Sequence, residues 1–89
     1  LLNGTPIKLL HIAPEPCLER RFRSIPRLEY ISADLRNPRA MVKMDITKID
    51  YPQNSFSAIY CSHVLEHIAE DRLAIAEFFR VLRPLGWAI

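Results

Sequence analysis

Hydrophobic residues in this chain fall into short runs separated by polar turns, and the spacing within the runs changes along its length. Ile7-Lys8-Leu9-Leu10-His11-Ile12 is a compact apolar run, the pattern of a central strand buried on both faces. Ala13-Pro14-Glu15-Pro16 stops it, because proline cannot donate to a ladder. Pro16 can begin a helix through Phe22, with Leu18 and Phe22, four apart, on its inner face, and Pro26 ends that region. Leu28 to Ala33 predicts a second strand closed by Asp34, and Met41 to Met44 a third closed by Asp45, with the polar loop Arg36-Asn37-Pro38-Arg39 between them. Asp50, Pro52, Asn54 and Ser55 are turn formers leading to a fourth strand, Phe56 to Cys61.

From His63 to Leu82 the spacing becomes helical, with a break near Ala69. Ile68, Ile75, Phe78, Phe79 and Leu82 recur at three, four and seven residues and predict one apolar stripe. Glu70 and Asp71 in its early turns, and Arg80 and Arg83 in its last, complement the helix dipole. Pro84 and Gly86 close the helix, and a fifth strand is expected from Trp87. A strand, a crossover helix and another strand form a βαβ unit, which requires a parallel sheet. The order β-α-β-β-β-α-β therefore predicts an α/β fold: an open, mostly parallel, Rossmann-like sheet with flanking helices. With Leu1 in place of a methionine, and Ile89 just inside the expected fifth strand, residues 1–89 are read as a fragment, one partial domain.

Composition narrows the class. The 49% hydrophobic content suits a folded chain. No run approaches the roughly 20 apolar residues of a membrane span, and no signal peptide opens the chain, so a cytoplasmic protein without a membrane partner is expected. Cys17 and Cys61 are isolated thiols, read as reduced, in keeping with that compartment. The net charge of +2 makes no case for nucleic acid. Arg20, Arg21, Arg23, Arg27, Arg36 and Arg39 are read as a solvated helix face and loop rather than a polyanion site. An exposed sheet edge leaves a route to oligomers.

Candidate chemistry gathers at strand ends. His11, Asp34 and Asp45 end three successive strands, and Cys61, Ser62 and His63 stand at the end of the fourth, where open α/β sheets place their ligands. An aspartate about 20 residues past the first strand suits the ribose hydroxyls of a nucleotide-type cofactor. Asp34 fits that spacing; an aspartate that merely caps its loop fits it equally. The absence of G-x-G-x-x-G argues against a dinucleotide-binding domain. His63 and His67 share a helix face, but Val64 follows His63 where zinc proteases carry glutamate, and no metal site is expected.

These residues carry a resemblance. FSAIYCSHVLEHI (56–68) and RVLRPLGWAI (80–89) resemble the fourth strand, the following helices and the hairpin before the fifth strand of class I S-adenosylmethionine-dependent methyltransferases, of the type 11 group. The similarity runs from Leu9 to Ile89. It implies methyl transfer from S-adenosylmethionine to an acceptor, small or macromolecular, that the sequence does not name. By that resemblance Asp34 would bind the cofactor ribose and Asp45 the adenine amino group. Leu35 and Ile46 would wall the adenine, and Cys61 would face the methionine part.

The family's acidic residue and glycine-rich loop are replaced here by His11-Ile12-Ala13-Pro14-Glu15-Pro16-Cys17. Ala13 stands in for a glycine, neutral His11 could accept from the cofactor's ammonium, and Glu15 is expected to supply the carboxylate. Ser57 and Leu85 stand where relatives commonly carry aspartate and glycine. His63, directly after the strand end, is the candidate general base. The alternative is a non-catalytic copy of the fold, a relic or binding module.

Overall fold

A computed structural model of the protein describes residues 7–61 and 70–88. Seven elements follow one another: β1 (Ile7–Ile12), α1 (Pro16–Arg23), β2 (Leu28–Asp34), β3 (Val42–Lys43), β4 (Phe56–Cys61), α2 (Asp71–Val81) and β5 (Leu82–Ala88). Among the described residues they build a five-stranded sheet in the order β3-β2-β1-β4-β5, every adjacent pair parallel. The order agrees with the Rossmann-like expectation. Chain direction across the sheet reverses at β1, which has β2 on one side and β4 on the other, and this is the switch point of an open α/β sheet.

Register decides which side chains share a face. Leu10 pairs with Ile31 and Ile59, and Ile12 with Ala33 and Cys61. Side chains level with one another in parallel strands point the same way, so these form one face. That face carries the core, where Leu10, Ile12, Ala33 and Ile59 join Ala74, Phe78 and Val81 of α2. Met44, Ile46 and Ile49 from the β3–β4 connection complete the same cluster. His11 pairs with Ser32 and Tyr60, which places all three on the opposite face, under α1. α1 buries no residue fully; Leu18 and Phe22 are half-buried, and Phe22 stands edge-on to the His11 ring.

Several expectations need correction. The buried stripe of α2 is Ala74, Phe78 and Val81, spaced four and three apart, while Ile75 and Phe79 are exposed and Leu82 already belongs to β5. The cause is phase: turning the small Ala74 inward brings the helix close to the sheet and leaves Phe79 76% exposed. Ile68, the first residue of the expected stripe, lies outside the described residues. β3 is two residues long, with Met41 exposed before it.

β5 starts at Leu82 rather than Trp87, because α2 runs straight into pairing with Phe56. The register then jumps: Phe56 is level with Leu82, but Ala58 is level with Trp87. Arg83 to Gly86 thus bulge from the ladder, which absorbs the turn that Pro84 and Gly86 signal. At Gly86 the backbones nearly touch. A Cβ there would lie 3.0 Å from the Ser57 carbonyl oxygen and 2.8 Å from that of Arg83.

Candidate functional site

Because all the strands run parallel, their carboxyl ends line one edge. Ile12, Ala33 and Cys61 are level across β2, β1 and β4; Asp34 stands one residue further, and Asp45 two residues beyond β3. The half-buried Asp34 holds its own loop. Its Oδ1 accepts from the Leu35 N–H at 2.9 Å and its Oδ2 from the Asn37 N–H at 3.0 Å, while its main-chain oxygen accepts from Met44 N–H. The loop that results presents Leu35, 47% exposed, beside the carboxylate.

Asp45 repeats the device one strand over. Its Oδ1 accepts from both the main-chain N–H and the hydroxyl of Thr47, at 2.9 and 2.7 Å. The Thr47 hydroxyl first, then the Thr47 N–H and Lys48, hold the carboxyl below the usual carboxylate range. Asp45 is exposed, whereas its neighbour Ile46 is buried in the core. Ile46 therefore offers almost no surface for a wall of the crevice, and Leu35 is the exposed apolar residue there. A depression of about 400 Å³ opens beside β3, bordered by Lys43, Asp45, Lys48, Asp50 and Tyr51.

The tip of β1 differs most from expectation. Ala13 adopts φ 52, the left-handed conformation that glycine takes without cost, so it makes the turn glycine would make. Its N–H donates to the Ala33 carbonyl at 2.8 Å and ties that turn to β2. Pro14 is buried, and Glu15 is exposed as the N-cap of α1, with no side-chain capping bond.

His11 is not on the rim. It is fully buried, boxed edge-on by Phe22, Tyr30 and Tyr60 with ring centroids 5.2–5.6 Å away. Its Nδ1 lies 2.7 Å from the Tyr30 hydroxyl, and its Nε2 is buried with no partner among the described residues. Burial lowers its pKa, opposed by the charges of Glu15 and Glu19. A side chain with no exposed surface cannot meet a ligand in this conformation. The register explains this: an odd position in β1 faces α1, one residue below the tip.

Cys61, half-buried, ends β4 at the switch point, and no disulfide joins it to the exposed Cys17. His63 and His67 lie outside the described residues. Among the described residues no group of His, Cys, Asp and Glu is arranged to hold a metal ion, and no helix is long and apolar enough to cross a membrane.

Comparison with known proteins supplies the deciding observation. The profile of a methyltransferase-domain family, type 11, matches residues 19–89. The chain belongs to that family. The chain also superposes on solved structures at low identity, which is a likeness of fold. YcgJ from Bacillus subtilis matches with TM-score 0.75 and 20% identity over 93% of this chain and 43% of that one. The trans-methyltransferase CalH, solved in complex with SAH, matches with TM-score 0.74 and 14% identity over 93% and 31%. SpnF, a 4+2 cyclase, gives TM-score 0.64 and 22% identity over 93% and 37%. The methyltransferase domain described here thus spans less than half the length of each of these chains. No curated protein sequence matches it.

Sequence reasoning missed Tyr30 and Tyr60, the partners of His11. The signal was the alternation Tyr30, Ser32, Asp34, which puts the tyrosine on the face of His11. It also missed Thr47, which fixes Asp45, and the pair Glu77 and Arg80, whose i, i+3 spacing marks one helix face.

Proposed function

We propose that this domain holds the cofactor half of an S-adenosylmethionine-dependent methyltransferase, with the adenosyl group across the Asp34–Asp45 edge of the sheet. Family membership supports the reaction class, and the arrangement of the two carboxylates is the observation that carries the placement. A carboxylate has about four lone-pair sites. Asp34 commits one on each oxygen to its loop, so each oxygen keeps capacity for a ribose hydroxyl. Asp45 commits only Oδ1, leaving Oδ2 for the adenine amino group. Leu35, exposed beside Asp34, suits an adenine face. Ala13 allows close approach of the backbone at the tip of β1, and Cys61 stands at the switch point for the methionine part.

When bound, such a cofactor supplies an activated methyl group on a sulfonium. The chain's own residues bind and orient: Asp34 and Asp45 fix the adenosyl end, and the sheet edge aims the other end toward the acceptor. Orientation of this kind supplies a large share of such a barrier. Glu15 is the carboxylate available to an ammonium after β1, and His63 the candidate to take the acceptor's proton. The acceptor, small or macromolecular, binds to segments beyond this domain. The edges of β3 and β5 are where a further strand or a second copy would pair.

A second reading, a non-catalytic binding copy, draws support from the loop after β1. Pro14 and Pro16 remove two backbone donors there, and His11 is turned away from the rim. Titration calorimetry on the intact protein with S-adenosylmethionine, S-adenosylhomocysteine and a nicotinamide dinucleotide separates the readings. Binding of the first two, weakened roughly 10- to 100-fold by Asp34→Asn, is expected. Binding of neither would refute the cofactor assignment, and tight binding without turnover on any acceptor would favour the copy.

A further inference from the structure

The exposed Asp45 is held by a loop, and that loop is held from the far side by α2. Arg80 donates from Nη2 to the Ile49 carbonyl at 2.6 Å and from Nη1 to the Tyr51 carbonyl at 2.8 Å. Its Nε donates to Glu77 Oε2, and Glu77 Oε1 accepts from the Ile49 N–H at 2.8 Å. The two side chains thus satisfy both backbone groups of Ile49, as a neighbouring strand would. Each strengthens the other: the Arg80 hydrogen bond lowers the Glu77 pKa, and Glu77 raises that of Arg80.

We propose that Glu77 and Arg80 are positioning residues for the adenine end of the cofactor site, acting through the 45–51 loop and Asp45. The inference rests on the reading under Proposed function that Asp45 accepts from the adenine amino group. The loop is anchored at its start, where the Met44 N–H donates to the Asp34 carbonyl, and at 49–51 by the clasp, with Ile46 and Ile49 buried between. Between those anchors, the Asp45 carboxylate accepts its hydrogen bonds from Thr47, itself a member of the loop. Releasing the clasp strips the hydrogen bonds from the Ile49 N–H and from the Ile49 and Tyr51 carbonyls. The loop then keeps the Met44 bond at its start and, past its end, the bond from Asn54 N–H to the Arg80 carbonyl. Nothing polar from α2 then grips residues 49–51, and the direction of the carboxylate relative to Asp34 is set less firmly.

The test is selectivity, measured on the intact protein with S-adenosylhomocysteine and its 6-oxo counterpart, S-inosylhomocysteine, which lacks the amino group. Wild type should prefer the adenosyl ligand by roughly 10-fold or more, the scale of one hydrogen bond to a charged group. Arg80→Ala should bring the ratio near one, as should Asp45→Asn, and the double variant should add little. Arg80→Lys, which keeps one donor arm, and Glu77→Gln should give intermediate ratios and serve if Arg80→Ala does not fold. A clasp that is structural alone weakens both ligands equally and leaves the ratio unchanged, which overturns the proposal while the cofactor reading stands. A wild type that binds both ligands equally overturns it too. A wild type that binds neither overturns the cofactor reading and this inference together.

Discussion

The Tyr30 hydroxyl lies 2.7 Å from Nδ1 of His11, and among the described residues it is the one hydrogen bond given to that buried ring. It joins β1 to β2 beneath α1, on the sheet face away from the main core. The first prediction concerns this bond. Tyr30→Phe leaves both ring nitrogens of His11 buried and unpaired, and stability should fall by about 1–3 kcal/mol. Replacing both residues with phenylalanine should cost less than Tyr30→Phe alone, because the His11 ring nitrogens are then not stranded and the buried Ser32 hydroxyl, which also bonds Tyr30, keeps the Met41 N–H as a partner. Urea denaturation of the three proteins measures the difference, and a double variant weaker than the single one would contradict it.

The same ring predicts a pH dependence. Burial holds the folded-state pKa of His11 below its ordinary 6.5, so the folded protein binds fewer protons than the unfolded chain there. The stability gained by keeping the ring neutral is complete above 6.5 and is withdrawn as pH falls below it, by at most about 1.4 kcal/mol per pH unit. The variant with phenylalanine at both 11 and 30 should show a shallower acid limb. Tyr30 works in the other direction. Burial foremost raises its pKa to about 12, so its contribution is present below 10 and is lost as pH climbs toward 12.

Two adjacent phenylalanines test the phase of α2. Phe78 is 6% exposed within the core and Phe79 is 76% exposed. Phe78→Ala should cost about 3–5 kcal/mol, the usual result of emptying an aromatic site. Phe79→Ala should change stability by no more than about 0.5 kcal/mol. Similar losses at the two positions would place the buried stripe elsewhere.

Gly86 tests the bulge in β5. An added methyl group meets two backbone carbonyls, at 2.8 and 3.0 Å, and the Leu82 side chain at 3.1 Å. Backbone atoms do not step aside as a side chain can, so Gly86→Ala should destabilise by about 1–3 kcal/mol. A denaturation midpoint equal to wild type would show that β4 and β5 can separate there freely.

The site was less legible in the sequence than the fold, and particular residues show why. Asp34 and Asp45 could be placed at strand ends because turn chemistry and apolar runs are local signals. Whether their oxygens cap loops or remain open to a ligand is settled by a few N–H groups that no pattern displays. His11 shows the same limit. Its position in the run marks a strand end, but only pairing with Ser32 and Tyr60 decides that the ring turns under α1.

By itself, the sequence determined the order of strands and helices along the chain and the mostly parallel sheet, while the placing of β1 between β2 and β4 came from the tertiary structure. Period, proline and glycine act over a few residues, and a βαβ crossover has one workable hand. The tertiary structure decided what depends on contacts between distant residues. It turned α2 to Ala74, Phe78 and Val81, buried His11 with Tyr30, and set Arg80 against a loop about 30 positions earlier in the chain. A helical pattern with apolar residues on more than one side can be docked in more than one rotation. Close packing against the sheet selects one, and side-chain hydrogen bonds to backbone follow from that choice.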